Sequence, residues 1–327
     1  MQADPFDPTR LAPDVLAVLT DMAASGAPAL ESLPITEMRM AYLQVGALLG
    51  DEPIPVGETW DLHATGPGGP IPLRLYVPKT GVAPYPTTIY LHGGGWSLGG
   101  LDTHDKVCRR LVNTTGCAVV AVDYRLAPEH PAPAAPDDAV AAVRWVAAQA
   151  TTLGLDASRL AIAGDSAGGS LAAVVCQQLR GSEVSLRAQV LIYPCTDVSP
   201  AGDAFDSRRK NGAVPPLTLE AMRAMVIPFL ANGFDTRDPR VSPRLASDLH
   251  GLPPALIVTG ECDILLDDGR LYRDALSEAG VPVEYIEYPG MIHGFIEMAG
   301  VLPAAQTAME QAAAFLSVHL DLATARS

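Results

Sequence analysis

Ser166 sits between two glycines in Gly164-Asp165-Ser166-Ala167-Gly168, just after the apolar run Arg159-Leu160-Ala161-Ile162-Ala163 and just before the helical pattern Gly169-Ser170-Leu171-Ala172-Ala173-Val174-Val175. A serine at a sharp strand-to-helix turn is a nucleophile candidate. The turn strains its backbone, and side chains two residues to either side would collide across it, so glycine is needed at both flanks. A hydroxyl attacks only when an imidazole takes its proton, and the imidazole needs a carboxylate to fix its tautomer and stabilise its cation. With this kind of elbow the acid and then the histidine follow the serine along the chain, each on a loop after a strand. Asp263 follows the run Ala255-Leu256-Ile257-Val258-Thr259, and His293 follows Val283 to Tyr288 through Pro289-Gly290-Met291-Ile292. Asp267 and Asp268 compete with Asp263 for the acid, although both suit the first turn of a helix running on through Leu271 to Ala279. His319, the other histidine beyond Asp263, lies within a C-terminal helical pattern, so His293 is the better base.

A tetrahedral intermediate also needs donors aimed at its oxyanion. His92-Gly93-Gly94-Gly95-Trp96 directly follows the apolar run Thr87 to Leu91. Glycines there let the backbone approach a carbonyl and turn its N–H groups toward it. The expected donors are the amides of Gly93 and Gly94, with Ala167 as the third. His92 is expected to orient this loop, and Trp96 to border the acyl or alcohol pocket or pack under a cap. Asp165, pointing away from the carbonyl, reads as structural. Asp123, Arg125 and Glu129 read as ion-pairing residues of the loop after their strand.

Those groups need a scaffold. Apolar residues at helical spacing (Val15, Leu16, Leu19, Met22; Met38, Tyr42, Val45, Leu49) predict two N-terminal helices, over residues 11 to 25 and 36 to 50. Two strand patterns then flank Gly66-Pro67-Gly68-Gly69 as a hairpin. Six further strands are predicted: Thr87–Leu91, Ala118–Asp123, Leu160–Gly164, Ala188–Tyr193, Ala255–Thr259 and Val283–Tyr288. Helix-length segments separate them, so the expected fold class is α/β, with a mostly parallel buried sheet flanked by helices. Residues 197–240 interrupt the alternation. The expected organisation is a catalytic core over 53–196 and 241–327, a cap insertion over 197–240, and N-terminal helices over 1–52 that contribute to the cap above the carboxyl ends of the strands. Met22, Met38, Met40, Met222 and Met225 fall in the cap pieces, where thioethers suit an adaptable apolar lining. Trp96, Met22, Met38 and Met222 are the expected substrate contacts.

Composition narrows the functional classes. The chain has 327 residues and a net charge of −15, which disfavours nucleic acid and anionic lipid as partners. The Arg208-Arg209-Lys210 cluster reads as a solvated loop. No apolar run approaches the roughly 18 residues of a membrane span. The N-terminus is acidic and proline-broken, unlike a secretory signal. Five scattered cysteines lack C-x-x-C spacing, which argues against a disulfide framework or a metal site and for a reducing, cytoplasmic location.

Taken together, His92-Gly93-Gly94-Gly95-Trp96, Asp123-Tyr124-Arg125-Leu126-Ala127-Pro128-Glu129, Gly164-Asp165-Ser166-Ala167-Gly168-Gly169, Asp263 and His293-Gly294-Phe295 make the chain resemble the hormone-sensitive-lipase-like (bacterial family IV) serine esterases. The resemblance implies an α/β-hydrolase fold with a helical cap, carboxylic ester hydrolysis through an acyl-enzyme, and no cofactor. One position departs from it: Ile264 stands where the family often has proline after the acid. The expected substrate is a small uncharged ester of short to medium acyl chain, and a homodimer is compatible with the reading. An amidase or lactonase using the same triad is the alternative enzyme. A non-catalytic ligand receptor on the same fold is the alternative of another class, disfavoured because His293 is present.

Overall fold

Fully buried apolar runs form the centre of the sheet, as expected for strands covered on both faces. The structure, a computed structural model, describes residues 3–322. Two N-terminal helices, α1 (Pro13–Ala24) and α2 (Ile35–Leu49), precede the hairpin of β1 (Glu58–Gly66) and β2 (Gly69–Val77). Then follow β3 (Tyr85–Leu91), α3 (Asp105–Thr115), β4 (Ala118–Val122), α4 (Ala134–Gln149), β5 (Leu155–Asp165), α5 (Ala167–Leu179) and β6 (Leu186–Ile192). Between β6 and β7 (Ala255–Gly260) the chain leaves the sheet and forms α6 (Asp206–Lys210) and α7 (Leu219–Phe229). It ends with α8 (Leu266–Glu278), β8 (Val283–Tyr288) and α9 (Pro303–His319).

The eight strands form one sheet in the order β1-β2-β4-β3-β5-β6-β7-β8. From β4 to β8 every neighbouring pair is parallel, whereas β1–β2 and β2–β4 are antiparallel. Side chains alternate between the two faces: Ile89 and Leu91 join a cluster containing α4, α5 and α8, while Tyr90 joins one containing α3 and α9. All predicted strands and helices are found, with β5 starting five residues earlier than expected, at Leu155.

The excursion after β6 packs on the carboxyl ends of the strands. The Phe229 ring of α7 stacks on Trp96 at 4.4 Å, and Ser97 Oγ donates to the Met225 carbonyl at 3.3 Å. From α2, Arg39 donates to the Ser97 and Ala127 carbonyls and pairs with Glu129 at 2.7 Å. Arg208 departs from the solvated reading. It is 1 % exposed, donating to the Asp197 carbonyl at 2.6 Å and pairing with Asp268 at 3.1 Å. The short helix α6 turns Arg208 inward while Arg209 and Lys210 stay outside, a difference that a charge run does not encode. Among the described residues no helix is long and apolar enough to cross a membrane.

Candidate active site

The elbow forms because β5 ends at Asp165 and α5 starts at Ala167, leaving Ser166 alone at the apex with φ +54° and ψ −119°. Its N–H donates to the Ile192 carbonyl at 2.8 Å, and its carbonyl accepts from Ser170 N at 3.0 Å. Holding a non-glycine residue there costs on the order of 1–3 kcal/mol, which the surrounding hydrogen bonds and packing must offset. The flanking glycines are compulsory: a Cβ on Gly164 would lie 2.4 Å from the Gly168 carbonyl oxygen, and one on Gly168 would lie 2.0 Å from that of Leu91.

Loops after β5, β7 and β8 converge. His293 Nε2 lies 2.9 Å from Ser166 Oγ, and His293 Nδ1 lies 2.7 Å from Asp263 Oδ2. Asp263 is 1 % exposed and Ser166 8 %, while the His293 side chain keeps 12 %, so the carboxylate is sealed and the pair beyond it can meet a substrate. Burial pulls the His293 pKa down, but the charge and hydrogen bond of Asp263 outweigh it and hold it above the ordinary histidine value. Asp263 is fixed in turn. Its Oδ1 accepts from Leu265 N at 2.8 Å, and its carbonyl accepts from Asn211 Nδ2 at 2.7 Å. The competing carboxylates face elsewhere: Asp267 accepts from Ser207 N, and Asp268 from Thr196 N, Asp197 N and Arg208. His319 packs against Phe315 in α9, the two rings tilted at 55°.

The glycine loop corrects one expected donor. Gly93 N–H points to Asp165 Oδ1 at 3.1 Å, so it is already taken and is not free for an oxyanion. The amides of Gly94, Gly95 and Ala167 have no acceptor among the described residues. Ala167 opens α5, where first-turn N–H groups lack helical partners and the helix dipole favours negative charge. Gly94 (φ +114°) and Gly95 (φ +59°) take up left-handed backbone, which is why the loop is glycine. His92 braces it, with Nδ1 2.7 Å from the Gly93 carbonyl and its ring stacked on Tyr124 at 4.2 Å.

Of the expected substrate contacts, Trp96 is 2 % exposed and packed face to face with Phe229. Met38 and Met222 share its core cluster, together with Met225, whose Sδ would lie 2.5 Å from a Cβ on Gly95. Met22 packs against the other cluster, on the α3 and α9 side, and so does not join a common methionine lining. Helical spacing placed it on an apolar stripe without saying which face of the sheet that stripe covers. Arg125 and Glu129 are ion-paired as expected, with Asp138 and Arg39.

Two residues beside these groups are not marked as site residues by the sequence. The Tyr193 ring lies 4.6 Å from that of His293, with φ +34° and a buried hydroxyl that has no partner among the described residues. Asn211, 1 % exposed, joins the acid loop to the N-terminal segment by also accepting from Arg10 Nη1 at 2.8 Å. Tyr193 ends a predicted strand, a position with functional meaning in such sheets; nothing in the local sequence marks Asn211.

A family model described as alpha/beta hydrolase fold matches residues 88–297. The chain is 45% identical to the carboxylesterase NlhH of Mycobacterium tuberculosis over 239 residues, 73% of this chain and 75% of that protein. It is 37% identical to an ethyl acetate hydrolase of Pseudomonas putida, covering 95% of this chain and 99% of the relative. Among solved structures, an alpha/beta hydrolase from the metagenome of Lake Arreo superimposes with a TM-score of 0.91 at 40% identity, covering 96% of this chain and 99% of that one. A hyperthermophilic esterase of Pyrobaculum calidifontis gives 0.87 at 37% identity, with 94% and 98% covered.

Proposed function

Since this chain belongs to the alpha/beta hydrolase fold family, among its hormone-sensitive-lipase-like esterases, we propose that it hydrolyses uncharged carboxylic esters of short to medium acyl chain through a Ser166–His293–Asp263 triad. The observation that carries this reading is the unbroken line from Asp263 Oδ2 through His293 to Ser166 Oγ, with contacts of 2.7 and 2.9 Å.

His293 Nε2 takes the hydroxyl proton as Ser166 Oγ bonds to the ester carbonyl carbon. The carbonyl electrons move onto oxygen, where the Gly94, Gly95 and Ala167 amides stabilise the new charge. Asp263 holds the imidazolium until it protonates the leaving alkoxy oxygen. The C–O bond then breaks and leaves an acyl-Ser166 ester. Water, deprotonated by His293, attacks that ester; collapse expels Ser166 Oγ, which recovers its proton, and a carboxylic acid leaves.

Two features favour small acyl groups: Met225 closes over Gly95, and a relative that matches nearly the whole chain is an ethyl acetate hydrolase. The five cysteines are all free and buried, which suits the cytoplasm. The test is Ser166→Ala assayed with p-nitrophenyl butyrate, alongside fluorophosphonate labelling of the unmodified protein. The expected result is stoichiometric labelling at Ser166 and no turnover by the folded variant. Turnover retained by Ser166→Ala would overturn the assignment.

A further inference from the structure

Behind the glycine loop lies a buried group of charges that the triad does not use. Asp165 Oδ1 accepts from Gly93 N at 3.1 Å and from Tyr90 Oη at 2.8 Å. His104, at the start of α3, brings Nε2 to 3.2 and 3.3 Å from the two oxygens of the same carboxylate and 3.8 Å from Glu297 Oε1. Glu297, four residues after His293, accepts from Tyr42 Oη of α2 at 2.8 Å. The group therefore joins the oxyanion loop, the nucleophile strand, the histidine loop and the N-terminal helix.

The protonation of His104 follows from its partners. Thr103 Oγ1 lies 2.9 Å from both the Gly100 carbonyl and His104 Nδ1; when its hydroxyl donates to the carbonyl, Nδ1 is left as the donor to Oγ1. On the other side Nε2 faces the two oxygens of Asp165 at 3.2 and 3.3 Å, which only accept, while Gly93 N, 3.3 Å away, already donates to Asp165 Oδ1. The two carboxylate oxygens beside Nε2 favour a hydrogen there, and with it the imidazolium form of His104. Burial lowers its pKa, but Asp165 and Glu297 outweigh burial and raise it to about 9. Burial works against charge on Asp165 as well, yet the His104 cation keeps it ionised below the usual carboxylate range. A second ionised carboxylate beside it is disfavoured, and the Glu297 pKa is pushed up, first by burial.

Two consequences bear on the chemistry. A Cβ on Gly93 would lie 2.3 Å from Asp165 Oδ2, so the carboxylate holds that peptide at a distance only glycine permits, and the direction of the next two amides depends on it. Asp165 also immediately precedes the nucleophile, and a bare carboxylate there would repel the oxyanion as it develops. An imidazolium in contact removes that penalty.

We propose that Asp165, His104 and Glu297 are positioning residues for the oxyanion hole: Asp165 aims the Gly94 and Gly95 amides by fixing the Gly93 peptide, His104 cancels the carboxylate's field at the ester, and Glu297 with Tyr42 fastens the pair to α2. This rests on the esterase reading and adds to it a set of residues that never touch the substrate.

The experiment compares unmodified protein with His104→Gln, Asp165→Asn/His104→Gln and Tyr42→Phe. It measures kcat and KM for p-nitrophenyl butyrate, affinity for an alkyl trifluoromethyl ketone that adds to the serine as a tetrahedral hemiketal, and thermal melts. His104→Gln is expected to lower kcat about 10- to 100-fold, less than the 10²–10³ of a deleted donor, with KM within about twofold and ketone affinity falling in proportion. Neutralising the carboxylate in the double variant keeps an acceptor for Gly93 N and is expected to restore most of kcat. Tyr42→Phe removes one hydroxyl and is expected to lower kcat a few-fold; it carries the test if His104→Gln does not fold. Folded variants with unchanged kcat, a loss confined to KM, or no rescue in the double variant would overturn the proposal. If instead the unmodified protein neither turns over the ester nor is labelled by a fluorophosphonate, it is the esterase reading that fails.

Discussion

Replacing Asp263 by asparagine changes one atom and reverses a hydrogen bond. Oδ1 of Asp263 accepts from Leu265 N at 2.8 Å, and Oδ2 faces His293 Nδ1 at 2.7 Å. If the new amide keeps its oxygen toward Leu265, its NH₂ meets Nδ1 and forces that nitrogen to accept. The single hydrogen of neutral His293 then sits on Nε2, facing Ser166 Oγ, and the imidazole can no longer take the hydroxyl proton. The opposite orientation sets two donors against each other at Leu265, about 1–3 kcal/mol for a buried group left unsatisfied. Neither arrangement supports catalysis, so kcat is expected to fall by about 10⁴, or ~5.4 kcal/mol in the barrier. A second effect accompanies the first. Asp263, through its charge and its hydrogen bond, contributes most to holding the His293 pKa up against burial, ahead of Asp165 and Glu297, so its loss lowers that pKa. The acidic limb of residual activity, which marks the histidine giving up its proton, should lie above pH 6.5 in the unmodified enzyme and move to lower pH in Asp263→Asn. The assay is steady-state hydrolysis of p-nitrophenyl butyrate from pH 5 to 9, with thermal melts to establish folding. A folded variant within tenfold of the original kcat, or one whose acidic limb moves upward, would refute the reasoning.

Phe229→Ala removes a fully buried ring stacked on Trp96, at an expected cost of about 3–5 kcal/mol, readable as a lower melting temperature. The space opened beside the glycine loop should raise kcat/KM for an octanoate ester relative to a butyrate ester; an unchanged ratio would place the acyl pocket elsewhere. Stability should also depend on pH through His104, which faces Asp165, Glu297, Tyr42, Tyr90 and His92, the last kept neutral by burial with a pKa near 3. Its folded pKa of about 9 exceeds the unfolded value of 6.5, so its contribution is complete below pH 6.5 and is lost as pH rises through 9. Melting temperatures between pH 6 and 10 should fall more steeply for the unmodified protein than for His104→Gln, and parallel curves would count against an imidazolium.

The strands were legible because buried parallel strands are short unbroken apolar runs, and the elbow because its steric demands fall on neighbouring residues. The order of Ser166, Asp263 and His293 was legible once those strands were drawn. Gly93 was misassigned because three consecutive glycines look alike until Asp165 is seen to claim the first amide. Arg208 was misread for a related reason: a five-residue helix decides which of three adjacent cations turns inward. His104, Glu297 and Tyr42 could not be connected from sequence at all, since they meet only after α2, α3 and the histidine loop have packed.

Ser166, Asp263 and His293 follow the ends of β5, β7 and β8, and β6 lies between the first two strands in the sheet. No two consecutive strands carry both Ser166 and His293, and His293 lies on the loop after β8, the last strand among the described residues. On the proposed mechanism, a nascent or half-folded chain therefore has an inert hydroxyl at Ser166. On that mechanism hydrolysis would begin only when the β8 edge of the sheet has docked, so recovery of activity during refolding would time the closing of that edge rather than the collapse of the core.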